Sequence, residues 1–198
     1  MKNNKSFKEQ LPQNFILNII SFLSNILIGL WLVPYLIKHI GKAAYGFVPL
    51  AMVFTHYINV ITVSINNSIT RFLTIDISKE NWDRANNTFN TAFFTLTFFG
   101  FLQLLIVILI VYNIDSILNI PEKLLIDAYY LFSLTFLGNL ISLYSSVFST
   151  SMYAYNRLDL RRIVDISRIL GRALVIIILF SFFKPSLKYV GIGNFIGA

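Results

Sequence analysis

NFILNIISFLSNILIGLWLVPYLI, residues 14–37, contains no Asp, Glu, Lys or Arg. It exceeds the ~20 residues that a helix needs to cross a bilayer. Yet it is not apolar all round. Asn14, Asn18, Ser21, Asn25 and Gly29 recur at spacings of 4, 3, 4 and 4, which places them on one face of a helix. A spanning helix with one polar stripe is therefore the unit from which the rest of the chain is read.

The uncharged window around this stretch covers 10–37, and three more follow at 43–70, 85–114 and 128–156. Hydrophobic residues make up 56% of the chain and charged ones 13%, against about 25% charged in a soluble domain. A soluble protein of 198 residues has no core large enough to hide four such helices. The runs do not alternate as the strands of a membrane barrel would. The basic start followed by an apolar run resembles a signal peptide. The run Phe15–Ile37, however, is 23 residues long, beyond the ~7–15 of a signal h-region. No small-x-small cleavage site follows, so it is expected to stay as a first span.

The expected fold is all-α: a polytopic membrane helical bundle of five full spans plus a truncated sixth. The spans are placed at about 15–37, 45–70, 88–112, 122–152, 165–183 and, incomplete, 189–198. Pro34 is expected to kink or end the first, Pro49 to sit in the first turns of the second, and Pro121 to open the fourth. In the fifth, ALVIIILFSFF (173–183) is too short to cross alone. It must borrow turns that carry Arg168 and Arg172, whose long side chains can snorkel to the interface. Lys184-Pro185-Ser186 reads as a tight turn. The chain closes on KYVGIGNFIGA (188–198). Ten residues after Lys188 rise about 15 Å, half a hydrocarbon core.

Lys and Arg set the orientation. With the N-terminus cytoplasmic, Lys2, Lys5, Lys8, Arg71, Lys79, Arg84, Arg157, Arg161, Arg162, Arg168 and Arg172 lie inside. Lys38, Lys42, Lys123, Lys184 and Lys188 lie outside. Every Arg is inside, as the positive-inside bias requires. The same bias explains the net charge of +7 without invoking nucleic acid as a partner. Trp31, Tyr35, Tyr45, Tyr112, Tyr129, Tyr130 and Tyr189 fall near the outer interface, Tyr153 and Tyr155 near the inner one, where amphipathic rings settle. The expected location is the cell (cytoplasmic) membrane, with membrane lipids as neighbours.

Two further spans carry stripes. Thr135, Asn139, Ser142, Ser146 and Ser149 follow 4, 3, 4, 3 in the fourth; His56, Asn59 and Asn66 lie on the second, with Arg71 at its inner end. The third span has Gln103 as its main central polar group and reads as peripheral or lipid-facing. An amide in hydrocarbon without a partner costs roughly 2–7 kcal/mol. The stripes must therefore meet other helices or water. One reading is interhelical glue, about 0.6 kcal/mol per contact. The other is a hydrophilic cavity lined by Asn18, Ser21, Asn25, His56, Asn59, Asn66, Thr135, Asn139, Ser142 and Ser146. Its lining is neutral, which suits a hydroxyl-rich ligand such as a sugar. No Asp or Glu lies centrally in any span, so a carboxylate proton or cation relay is not expected.

YNRLDLRRIVDISRILGRAL (155–174) places Arg157, Arg161, Asp165, Arg168 and Arg172 at spacings of 4, 4, 3 and 4. Ile163, Ile166, Leu170 and Leu174 form the opposite face. It reads as an amphipathic helix feeding the fifth span, with Asp165 expected to hold Arg161 and Arg168 through i,i+4 and i,i+3 pairs. Its basic face could rest on anionic headgroups. Alternatively Arg168 and Arg172, with Arg71, could meet a phosphate group, which a planar guanidinium binds bidentately. Cys is absent, so there is no disulfide or thiolate metal site. There is no G-x-S nucleophile, clustered acids or P-loop. No enzyme activity, cofactor or metal is expected.

HIGKAAYGFVPLAMVFTHYINVITVSINNSITRFL (39–73) resembles the first two spans of Wzx-type polysaccharide transporters: an outer loop with G-x-x-x-Y-G, a long second span, then an inner Arg. Here these are Gly41, Tyr45, Gly46 and Arg71. YAYNRLDLRRIVDISRIL (153–170) is similar to that family's loop between spans 4 and 5, and KYVGIGNFIGA to its sixth span. The resemblance implies the N-terminal six-helix lobe of a MATE-like fold in the multidrug/oligosaccharidyl-lipid/polysaccharide exporter superfamily. It further implies a flippase for undecaprenyl-pyrophosphate-linked oligosaccharide, with hydroxyls for sugars and Arg71, Arg168 and Arg172 for the pyrophosphate. The C-terminal lobe of the same protein would then be missing from this chain. A non-transporting membrane interaction subunit and half of a related multidrug exporter remain as alternatives.

Overall fold

The computed structural model describes residues 7–154 and 157–198. Lys2, Lys5 and Tyr155, assigned above to the inner face, lie outside the described residues. Among the described residues eight helices follow in order: α1 (Phe7–Ile40), α2 (Lys42–Tyr45), α3 (Phe47–Ser78), α4 (Trp82–Tyr112), α5 (Ile114–Leu118), α6 (Glu122–Ala154), α7 (Leu158–Phe182) and α8 (Leu187–Ile196). Among the described residues the protein is all-helical. Four stretches among the described residues are long and apolar enough to cross a bilayer: Pro12–Ile40, Lys42–Val60, Trp82–Tyr112 and Glu122–Ala154.

Four of the five full spans expected from the sequence fall on these stretches, and the fifth falls on α7. α7 is a continuous helix of 25 residues, but its first half carries the arginine-rich face. α8 has only 10 residues. Pro34 does not end the first helix, which runs on to Ile40. Proline inside a membrane helix removes one backbone bond, and neighbouring groups can satisfy the freed carbonyl. Pro121 stands just before α6, and Ser186 caps α8 by accepting the backbone N–H of Lys188.

The turns sort the connections to two ends. One end, called here the basic end, carries the α3–α4 and α6–α7 turns. The opposite end carries α2, α5 and the α7–α8 turn. Gly41 sits between α1 and α2 at φ 84°, a conformation that costs other residues about 1 kcal/mol or more.

α6 is the hub, packed against α3, α4 and α8. α7 packs behind α8, and α1 lies against α7. Glycines let α8 enter this position. A β-carbon on Gly191 would stand 2.9 Å from the Cα of Leu131 on α6. One on Gly193 would stand 2.5 Å from Ile176 on α7. Small residues of this kind permit the close backbone approach on which helix packing in lipid depends.

The main apolar core fills the opposite end. Leu36, Val48, Val107, Phe132, Phe180 and Val190 belong to it, and every one of the eight helices contributes. A smaller cluster, Ala92, Leu96, Leu143 and Val147, joins α3, α4 and α6 in the basic half. α4 buries one face, including Gly100, Gln103 and Val107. It exposes Phe94, Phe98, Phe101 and Leu109 on the others, as a peripheral helix should.

A candidate polar cleft at the basic end

α3 and α6 run parallel, both towards the basic end. Asn59 and Asn139 bond to each other through both amides, at 2.6 and 3.2 Å. One heptad further along, Asn66 donates to Ser146 Oγ at 2.9 Å. Both pairs are offset by the same 80 positions, the register of two parallel helices that meet every seventh residue. The polar stripes of the second and fourth spans therefore face one another. At Asn59–Asn139 they close as glue. Beyond Asn66 they open.

The opening is a cleft of about 410 Å³ between α3, α6 and α7. Asn66, Asn67, Thr70, Ser142, Ser145 and Ser149 line two walls, and Arg161, Asp165 and Arg168 line the third. Arg168 donates from Nη2 to Ser142 Oγ at 2.6 Å and from Nε to the Gly197 carbonyl at 3.2 Å. Arg161 stacks over the Tyr153 ring, 4.4 Å from its centroid, a cation–π contact that leaves its N–H groups free to donate sideways. Asn66 Oδ1 is buried without a partner among the described residues. The cleft thus offers hydroxyls, amide groups and two guanidinium forks in one space, with a single carboxylate.

That carboxylate pairs differently from expectation. Asp165 binds Arg162 at 3.2 Å instead of Arg161 and Arg168. The i−3 neighbour wins because Tyr153 and Ser142 already hold the other two arginines. Outside the membrane-spanning part, Arg157 bonds to Asp159 at 3.1 Å and holds its carboxyl below the usual range.

The sequence-derived residues divide accordingly. Asn66, Ser142, Ser146 and Arg168 meet in the cleft. Asn59 and Asn139 satisfy each other above it. Thr135 accepts from Asn194 of α8 at 2.9 Å. Asn25 and Arg172 line a separate crevice of about 230 Å³ between α1, α3 and α7, otherwise mostly apolar. Arg172 Nε is buried there without a partner among the described residues. Ser21 is buried on α1, whereas Asn18, His56 and Arg71 are exposed and line neither space. α1 does not join the cleft because it packs on α7, away from α6.

Asn67, Thr70, Ser145, Thr150 and Tyr153 also line the cleft and are additions to the sequence-derived set. Thr70 and Tyr153 continue the two stripes towards the basic end, four residues beyond Asn66 and Ser149, while Asn67, Ser145 and Thr150 stand one position beside them. A stripe one residue wide misses the last three, whereas a cavity wall takes an arc of about 100° or more.

No family model matches the sequence, and no solved structure matches it. Over 192 residues the chain is 27% identical to the uncharacterized membrane protein EpsK of Bacillus subtilis (strain 168). The match covers 93% of this chain and 37% of that protein, so the chain spans little more than a third of its relative's length. Apolar helices and relative agree: this is a helical membrane protein, similar over most of its length to one part of a larger bacterial membrane protein.

Proposed function

We propose that the chain is one lobe of a carrier that moves a lipid-linked oligosaccharide, its lipid bearing a pyrophosphate, across the cytoplasmic membrane for surface polysaccharide synthesis. The observation that carries this reading is the cleft: neutral hydroxyls and amides on two walls, Arg161 and Arg168 on the third, and a packed apolar end above it. Sugars need donors and acceptors together, and a pyrophosphate suits guanidinium forks. The resemblance to Wzx-type transporters supports the substrate class. In this reading the chain is a transporter without catalytic residues, its basic end faces the cytoplasm, and a second lobe of the same protein completes the path by rocking against the first.

The test uses the intact, full-length protein in cells lacking their own flippase. Arg168→Gln is expected to cut surface polysaccharide at least about tenfold, the scale of one lost charge-assisted contact of ~1.4 kcal/mol or more. Arg157→Gln, at the exposed start of α7, is expected to leave it near the parental level. Equal output from both variants contradicts the proposal.

A second reading, a non-transporting interaction subunit, draws on the Asn59–Asn139 pair, which is spent as helix glue. Thiol labelling separates the two. Cysteines at Ser145 and Ser149 react with water-soluble reagents if the cleft is wet, and stay inert if the stripe is glue throughout.

A further inference from the structure

On the side of α3 turned away from the cleft, α3 and α4 part around a groove of about 450 Å³ at the basic end. Its polarity changes with depth. Asp76 and Arg84 stand at the mouth, beside the α3–α4 turn, while Ile65, Ile69 and Ala92 line the inner part. The α4 wall carries Arg84, Thr88, Thr91 and Thr95 at spacings of 4, 3 and 4, a stripe set among phenylalanines.

The depth of the mouth follows from length. α4 has 31 residues, which rise about 46 Å against a hydrocarbon core of about 30 Å. Its first turns therefore stand in the headgroup layer. Trp82, 56% exposed at the start of α4, fits that level, where Trp settles. The mouth lies among headgroups and the apolar floor among acyl chains.

The charges at the mouth are only partly used. Asp76 Oδ2 accepts the Thr88 hydroxyl at 3.0 Å. The Arg84 guanidinium has no hydrogen bond or ion pair among the described residues. A purely anionic headgroup would gain Arg84 but meet the Asp76 carboxylate. A headgroup with one phosphate and one ammonium satisfies both.

We propose that this groove binds a zwitterionic aminophospholipid, with phosphate on Arg84, ammonium on Asp76 and one acyl chain along Ile65, Ile69 and Ala92. The site is separate from the cleft and stands whether or not the carrier reading does. It gives the basic end of α3 and α4 a lipid that wedges the two helices at a fixed separation.

The test is native mass spectrometry of the purified, intact protein after exchange into detergent with equimolar phosphatidylethanolamine and phosphatidylglycerol. The wild type is expected to retain phosphatidylethanolamine about fivefold over phosphatidylglycerol, equivalent to ~1 kcal/mol. Asp76→Asn is expected to bring the ratio to about one, because only the ammonium contact is lost. Arg84→Gln is expected to lower retention of both lipids. Ser68→Trp fills the groove from its exposed wall and is expected to lower both without touching either charge. Equal retention of the two lipids by the wild type, or an unchanged ratio in Asp76→Asn of native helix content, overturns the proposal.

Discussion

The two ends of the bundle are built on different principles. At the end of α2, α5 and the α7–α8 turn, all eight helices contribute to one apolar core, and Gly191 and Gly193 bring α8 into backbone contact with its neighbours. At the basic end, α4 and α6 meet through Ala92, Leu96, Leu143 and Val147, and α3 joins them through Ile65 and Ile69. There the wall between α3, α6 and α7 is made of hydroxyls, amides and arginines around a cleft. Apolar and small residues close one end by shape. Polar residues line an open cleft at the other, and a space of that kind leaves room for the several hydrogen-bond partners that amides and guanidinium groups take. The boundary runs from the reciprocal Asn59–Asn139 pair to Asn66, whose amide still donates to Ser146 but whose Oδ1 has no partner among the described residues.

Breaking the packed end should have the largest effect. Gly191→Val places a branched side chain against the Leu131 backbone and should cost about 3 kcal/mol or more, at or beyond the upper range for overpacking. It should appear as aggregation on size-exclusion chromatography of the solubilised protein. The same change at Gly171, where a β-carbon meets nothing within 4 Å, should leave the elution profile unaltered.

The boundary comes next. Asn59→Leu alone leaves Asn139 without its partner and should lower thermal stability by about 1–2 kcal/mol. Adding Asn139→Leu should recover part of that loss, since removing both partners strands neither. A double variant less stable than the single one would show that the amides also hold water from the cleft.

Arg161→Gln, in the cleft wall, should cost about 0.5–1 kcal/mol through its lost contact with Tyr153, while leaving the elution profile of the packed end intact. Asp159→Asn should have the smallest effect. Arg157 depresses the Asp159 pKa, so its stabilisation is present above the unfolded value and fades as pH falls through the lower folded value. The pair is exposed, so a change of about 0.5 kcal/mol or less is expected at neutral pH, and none once the carboxyl is protonated. A pH scan of melting temperature for both proteins measures this.

Much of this contrast is written in the sequence. The stripes on the second and fourth spans converge because two parallel helices with the same polar period, offset by 80 residues, meet at the same depths. Span existence follows from the uncharged windows, and the arginines of α7 announce the basic end. What the stripes do not encode is which helix lies beside which. Asn14, Ser21 and Asn25 look like the same signal as Asn139 and Ser146, yet α1 packs on α7 and sends Asn25 to another crevice and Asn18 outward. Spacing gives a face, and only tertiary packing gives its partner. The position of α8 depends on the same distinction. Gly191, Gly193 and Gly197 signal close approach, but not that α6 and α7 are the helices approached. The threonine stripe of α4 has a legible period, masked by the phenylalanines around it.

The most direct measurement is thiol accessibility in the membrane, since the chain has no native cysteine. Single cysteines at Ser145 and Ser149 in the cleft, and at Phe132 and Val190 in the packed end, are exposed to a membrane-impermeant maleimide. Rapid labelling at the first two from the basic side alone, with none at the other two, is the expected result. Comparable rates at all four positions, or no reaction at Ser145 and Ser149 in folded protein, would contradict a bundle packed at one end and wet at the other.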